Sequence, residues 1–89
     1  MSEIVKSILN ELKTKYSNRS VEFQVEPLYF DFSNYKRYRL VIDGKIVDAQ
    51  FTDLMLDDLA FVFKAQTQDA IINEVVAALS YEIDRIIPQ

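Results

Sequence analysis

The first half of the chain changes from a helical spacing of hydrophobic residues to a strict alternation with polar ones. Between Ser2 and Tyr16 the hydrophobic residues are three or four positions apart, as on one face of an amphipathic helix: Ile4, Val5, Ile8, Leu9, Leu12 and Tyr16. Ser2 is a good N-cap, and Glu3 suits the positive end of the helix dipole. The pattern therefore predicts a first helix over residues 2–16.

The next segment, Val21–Glu26, alternates hydrophobic and polar residues and predicts a half-buried strand. The side chains expected to face inward are Val21, Phe23 and Val25. Pro27 has no N–H to donate to a ladder, so it indicates a strand end, a bulge or an edge strand. Alternation resumes beyond it on the opposite parity, which is compatible with a kinked strand from Ser20 to Phe32 and a turn at Ser33-Asn34.

Asp43-Gly44 joins two further hydrophobic segments and predicts a β-hairpin. A two-residue Asp-Gly loop favours a type I′ turn, which needs positive φ at both central residues. This turn pairs residues 35–42 with residues 45–51 and places Arg39 opposite Asp48 as a cross-strand ion pair. The face expected to be buried comprises Tyr38, Leu40, Ile42, Val47, Ala49 and Phe51.

The segment from Thr52 to Ile87 contains neither glycine nor proline and predicts two helices. Thr52 or Asp53 would cap the first of them. Leu59–Phe63 is also compatible with a strand, but the leucine, methionine and alanine of this segment favour a helix. The helical stripe of this segment comprises Leu54, Met55, Leu59, Val62 and Phe63. Thr67 would cap the second helix.

The order helix, three strands, two helices predicts a single α+β domain over residues 1–89, with the topology αβββαα. We expect a three-stranded antiparallel meander with the helices on one face. The last helix has a wide apolar arc, formed by Ile71, Ile72, Val75, Val76, Leu79 and Ile83. One sheet face cannot use all of it, so the surplus is expected to meet the preceding helix or a second subunit. Ile72 and Val76 are therefore candidate self-association residues.

Composition argues against most catalytic and metal-binding chemistry. The chain has no histidine, no cysteine and a single glycine, whereas phosphate-binding loops and nucleophile elbows need several glycines. We therefore expect no enzyme activity, no cofactor, no metal site and no small-molecule substrate. The sequence shows no secretory signal and no membrane-spanning apolar run, and a lack of cysteine suits a reducing compartment, so we expect a cytoplasmic protein.

The net charge of −4 is unevenly distributed along the chain. Residues 1–45 include eight bases and six acids, whereas residues 46–89 include two bases and eight acids. Asp53, Asp57 and Asp58 lie close together in a helical interpretation and are candidates for acid–base chemistry or binding, although a solvated acidic helix start is the simpler and favoured explanation. In size and acidity the chain resembles small phage-encoded inhibitors that imitate DNA, which makes an acidic decoy one alternative function.

An aromatic and basic segment around Tyr35, Arg37 and Arg39 suits single-stranded nucleic acid, because bases stack on rings and cations follow phosphates. The order helix–strand–strand–strand–helix also resembles double-stranded-RNA-binding domains, which are basic, whereas the last helix here is acidic. The leading hypothesis is therefore a non-enzymatic, self-associating protein-interaction module. Nucleic-acid binding through residues 35–39 remains an alternative, and the predicted partner is a protein or a second copy of the chain.

Overall fold

Three helices and a three-stranded sheet make up the computed structural model, which describes residues 2–28, 35–62 and 67–87. The elements in chain order are α1 (Glu3–Lys15), β1 (Val21–Pro27), β2 (Lys36–Ile42), β3 (Lys45–Thr52), α2 (Asp53–Val62) and α3 (Gln68–Ile86). The predicted order αβββαα is confirmed. The continuation of the first strand to Phe32, the turn at residues 33–34 and the place of Phe63 lie outside the described residues.

Helix α1 begins where the sequence places its cap. The Ser2 backbone is extended, and its hydroxyl accepts a hydrogen bond from the Val5 amide at 3.3 Å. The helix ends at Tyr16, whose N–H donates to the Leu12 carbonyl at 2.9 Å. The residues that α1 buries share one face, as the spacing predicts: Val5, Ile8, Leu9 and Leu12.

The sheet is an antiparallel meander in the order β1-β2-β3. Asp43 and Gly44 have φ values of 52° and 82°, so both central residues of the hairpin are left-handed, as a type I′ turn requires. Val41 lies opposite Ile46, in agreement with the predicted register next to the turn. The turn chemistry therefore sets the start of the hairpin.

Farther from the turn the predicted register is wrong. Arg39 lies opposite Gln50 rather than Asp48, because β3 advances four residues where β2 advances two, between Val41 and Arg39. Such an irregularity is a β-bulge in β3. The two extra residues of β3 are an even number, so the residues beyond the bulge still point to the predicted faces of the sheet. The predicted inner face is confirmed, with Val47 partly buried and the others buried: Tyr38, Leu40, Ile42, Ala49 and Phe51.

The helices pack on this inner face, and α3 lies at the centre of the packing because it contacts α1, α2 and β3. The residues that α3 contributes to the core include Ile71, Ile72, Val75, Leu79 and Ile83, and Val76 packs against them. The apolar arc of α3 is thus accommodated by neighbouring elements of the same chain. Of the two expected ways to cover the surplus, contact with the preceding helix is the one seen here, and α1 covers α3 as well.

Residues Asp53–Val62 form helix α2, so the helix prediction is confirmed as far as Val62. The Thr52 hydroxyl accepts from the Met55 amide at 3.1 Å and caps it. The stripe does not face the core, because Leu56 is the buried residue of α2 while Leu54, Met55 and Val62 are exposed. Among the described residues no helix is long and apolar enough to cross a bilayer.

Strand β1 also departs from its pattern at one end. Val25 shares the inner parity with Val21 and Phe23, yet it is exposed, whereas Val21 is buried. The core covers the Val21 end of the strand, where β1 pairs with Ile42. Alternation thus predicts the face toward which a side chain points, and burial further requires a covering element.

Candidate functional site

Two tyrosines and two aspartates attach α2 to β2, and we call Tyr35, Tyr38, Asp53 and Asp57 the tyrosine–aspartate cluster. Asp53 accepts two hydrogen bonds at 2.9 Å, one from the Tyr38 hydroxyl and one from the Lys36 amide. The Tyr35 hydroxyl donates to the Asp57 carboxylate. The structure therefore brings together three residues that the sequence singles out, namely Tyr35, Asp53 and Asp57.

The environment of Tyr38 shows what this cluster can do chemically. Burial, and then the hydrogen bond to Asp53, raises the pKa of Tyr38 above its ordinary value of 10.0. The hydroxyl therefore keeps its proton at neutral pH and serves as a donor. The cluster has an anchoring role, because its hydrogen bonds join the first turns of α2 to β2 and to Tyr35, the residue before β2. Among the described residues no three histidine, cysteine, aspartate or glutamate side chains are grouped to hold a metal ion.

The outer face of the sheet carries Arg37 and Arg39 beside Glu26. The Arg37 guanidinium pairs with the Glu26 carboxylate, and Arg39 Nε lies 3.5 Å from Glu26 Oε1. The hydrogen bond from Arg37 is the main cause that lowers the pKa of Glu26. The rings of the described strands are on the inner face, where Tyr38 and Phe51 stack with centroids 4.9 Å apart. The arginines of the outer face are thus partly neutralised, and no aromatic ring of the described strands lies on that face to stack on a base.

A second concave surface lies between α2, α3 and β3, and we call it the α2–α3 groove. It has a volume of about 270 Å³. Its apolar lining is contributed by Phe51, Met55, Leu59, Val75, Ala78 and Leu79. Asp58 of α2 and Glu74 of α3 also line it, and neither makes an ion pair or hydrogen bond with any described residue. The groove thus combines an apolar lining with two carboxylates that have no partner among the described residues.

Four large hydrophobic side chains of α2 are exposed, and Met55 among them also lines the groove. Phe61 is 79% exposed, Val62 69%, Met55 43% and Leu54 37%. Met55 and Val62 are seven positions apart, which places them on the same flank of the helix as the groove residue Leu59. Four large exposed hydrophobic residues on a ten-residue helix are unusual for a surface without a partner. We call these four residues the α2 apolar surface.

The sequence contains a signal for this surface that a search for buried stripes overlooks. Hydrophobic residues occur around the whole circumference of α2, while Asp57 and Asp58 interrupt them in the middle of the helix. A helix with apolar residues all round cannot bury them all against one sheet face. The candidate self-association residues of α3 do not belong to this surface. Ile72 is only 8% exposed, and Val76 packs against the core.

Comparisons with known proteins give no family to which the chain can be assigned. No model of a protein family matches the sequence, and searches of curated proteins and of solved structures returned no significant match. The function must therefore be argued from the geometry of the chain itself. Among the described residues, the α2 apolar surface holds four of the eight large hydrophobic side chains that are exposed, and Met55 joins it to the α2–α3 groove.

Proposed function

We propose that this protein is a non-enzymatic interaction module that binds a protein segment through the α2–α3 groove and the α2 apolar surface. The observation that carries the proposal is an apolar groove whose lining includes the exposed Met55, with the exposed Val62 on the same flank of α2. Apolar surface in water costs free energy in proportion to its area, about 25 cal/mol per Å². Covering this surface with an apolar partner would recover that free energy.

Support for a non-enzymatic role comes from the way the polar side chains are used. The carboxylates of Asp53 and Asp57 accept hydrogen bonds from tyrosine hydroxyls and a backbone amide. General acid–base catalysis needs a titrating group that is within reach of a substrate, usually with a perturbed pKa near neutrality. An anchoring role accounts for these contacts without a substrate.

The contacts of the arginines give less support to nucleic-acid binding. Arg37 and Arg39 share the Glu26 carboxylate, so part of their charge is already compensated within the sheet. A phosphate would have to compete with Glu26, and no described ring on that face offers stacking. The decoy alternative is likewise weakened in α3, where Glu82 pairs with Arg85 and Asp84 accepts from the Tyr16 hydroxyl.

The proposal is tested by mapping where an uncharged amphipathic helical peptide binds. The peptide has leucines at helical spacing and glutamine and alanine elsewhere, and it is titrated into isotopically labelled protein while amide chemical shifts are recorded. We expect shifts at Met55, Leu59 and Ala78, because these residues line the groove. Shifts confined to the outer sheet face, or none at any concentration the peptide permits, would contradict the proposal.

Two neighbouring alanines provide a matched pair of variants. Ala77 and Ala78 are both exposed on α3, but only Ala78 is among the groove-lining residues. Ala78→Gln places a longer polar side chain in the groove and should abolish the peptide-induced shifts. Ala77→Gln makes the same chemical change outside the groove and should bind as the unmodified protein does. Equal binding by the two variants would remove the groove from the proposal.

A further inference from the structure

We propose that the segment bound in the α2–α3 groove is a cationic amphipathic helix of a partner protein. This inference rests on the proposed function and adds the chemistry of the partner to it. Three features of the described residues support it: the size of the groove, the unpaired carboxylates beside its apolar lining, and the lack of a suitable segment on the surface of the chain itself.

The size of the groove favours side chains over a small-molecule ligand. Its volume of about 270 Å³ is near the lower end of the range of roughly 300–1,000 Å³ that is typical of ligand pockets. The groove is also open to solvent between two helices, and its apolar lining continues onto the exposed Met55 side chain. A helix that inserts a few apolar side chains at three- and four-residue spacing suits such a surface.

The charge of the groove favours a cationic partner. Asp58 comes from α2 and Glu74 from α3, so carboxylates of both flanking helices accompany the apolar lining. Neither forms an ion pair or hydrogen bond with a described residue. From Asp53 to Asp84 the sequence has seven acids and one base, Lys64, which lies outside the described residues. Lysine or arginine on the polar flanks of a bound helix would meet these carboxylates.

The same charges argue against a second copy of the chain. In a twofold contact through this groove, Asp58 and Glu74 of one copy would approach the same acids of the other, and like charges at an interface are unfavourable. Helix α1 carries Lys6, Lys13 and Lys15, but its apolar face is buried in the core of its own chain. A second copy therefore has no exposed cationic amphipathic helix among its described residues.

The test compares three labelled helical peptides by fluorescence anisotropy with the full chain. Each has about 18 residues, or five helical turns, with the same leucines, and the polar positions are all lysine, all glutamine or all glutamate. We expect the lysine peptide to bind most tightly and the glutamate peptide least tightly. The preference should shrink as salt rises from about 0.02 M to about 0.2 M, because screening weakens exposed ion pairs.

Variants of the groove carboxylates test the role of charge directly. Asp58→Asn with Glu74→Gln should weaken the lysine peptide by about 2- to 30-fold, as expected for two exposed ion pairs, and leave the glutamine peptide unchanged. Glu11→Gln with Asp69→Asn removes two acids that do not line the groove and serves as the control of equal net charge. Circular dichroism of each variant verifies that the fold is intact.

The outcomes distinguish a failure of this inference alone from a failure of the proposed function. If the lysine and glutamine peptides bind equally and Ala78→Gln abolishes both, the groove binds apolar helices but the cationic preference is overturned. If no peptide binds, both proposals fail. Sedimentation of the protein alone tests whether a second copy of the chain occupies the groove. Self-association that is lost in Ala78→Gln would assign the groove to a second copy and overturn the inference.

Discussion

Tyr38 combines two roles in a single side chain. Its ring is buried and stacks on Phe51, with centroids 4.9 Å apart, while its hydroxyl donates to the Asp53 carboxylate at 2.9 Å. The ring therefore belongs to the core and the hydroxyl to the attachment of α2. A tyrosine suits this boundary position because it is apolar along most of its length and polar at its tip.

The alternation of buried and outward residues in β2 is tested by two neighbouring truncations. Leu40 is fully buried, so Leu40→Ala should lower the free energy of unfolding by about 2–5 kcal/mol through lost burial and a residual cavity. Val41 is on the outer face and only partly covered, so Val41→Ala should cost under about 1 kcal/mol. Urea denaturation measures both, and comparable losses would contradict the assignment of faces.

Helix α2 differs from the other helices in how it is held. Helices α1 and α3 bury several hydrophobic residues each, whereas α2 buries Leu56 and partly covers Leu59. Its first residues are attached by the hydrogen bonds of Asp53 and Asp57. With little buried apolar area, α2 should open at a lower free energy than the remainder of the molecule.

Hydrogen–deuterium exchange tests this dependence of α2 on its polar attachment. Asp53→Ala removes the acceptor for the Tyr38 hydroxyl and the Lys36 amide, so the opening free energy of α2 should fall by about 1–3 kcal/mol. Asp58→Ala is the control in the same helix, because Asp58 makes no such bond, and it should leave exchange in α2 nearly unchanged. Equal exchange in the two variants would show that the hydrogen bonds of Asp53 do not hold the helix.

At the scale of the whole molecule, contacts between distant segments connect the two ends of the chain. The Tyr16 hydroxyl at the end of α1 donates to Asp84 of α3 at 2.8 Å. The hairpin turn is tied to the loop before β1, since Asp43 accepts from Arg19 at 2.7 Å and from the Ser20 amide at 3.0 Å. Carboxylates thus join elements that are far apart in sequence, which makes global stability depend on pH.

The direction of this pH dependence follows from Asp43 and Glu26. The Ser20 amide and Arg19 lower the pKa of Asp43 below its ordinary value of 3.8, and Arg37 lowers that of Glu26 below 4.5. In acid the unfolded chain therefore binds protons that the folded chain resists. The contribution of both groups is complete above these ordinary values, and it is lost as the pH falls through the folded pKa values.

Urea midpoints measured across pH verify this. The midpoint should be nearly constant from pH 7 to about pH 5 and decline in more acidic solution. Asp43→Asn combined with Glu26→Gln should lower the midpoint at neutral pH and flatten the decline. Glu11→Gln is the control, because Glu11 is exposed and makes no ion pair with a described residue, and its profile should match that of the unmodified protein. A decline of undiminished steepness in the double variant would assign the acid sensitivity to other carboxylates.

Part of the candidate site could be predicted from the sequence, and part could not. The sequence singles out Asp53, Asp57 and Tyr35, and the structure brings them together at the start of α2. The sequence does not reveal the α2–α3 groove. The lining comes from β3, α2 and α3, and the arrangement of separate elements is not a local property of the sequence. The apolar character of Ile72 makes it a self-association candidate in the sequence, but its burial depends on neighbours that the helix alone does not specify.

What the sequence determined by itself is local. Helical spacing, strand alternation and the left-handed preference of Asp43-Gly44 each involve residues within a few positions of one another, and they suffice for the order of elements and the buried face of the hairpin. The tertiary structure decided the bulge that pairs Arg39 with Gln50 and the rotation of α2 that buries Leu56. These features depend on contacts between distant segments, such as the hydrogen bond of Tyr38 with Asp53. Such contacts contribute to the free energy only in the folded chain.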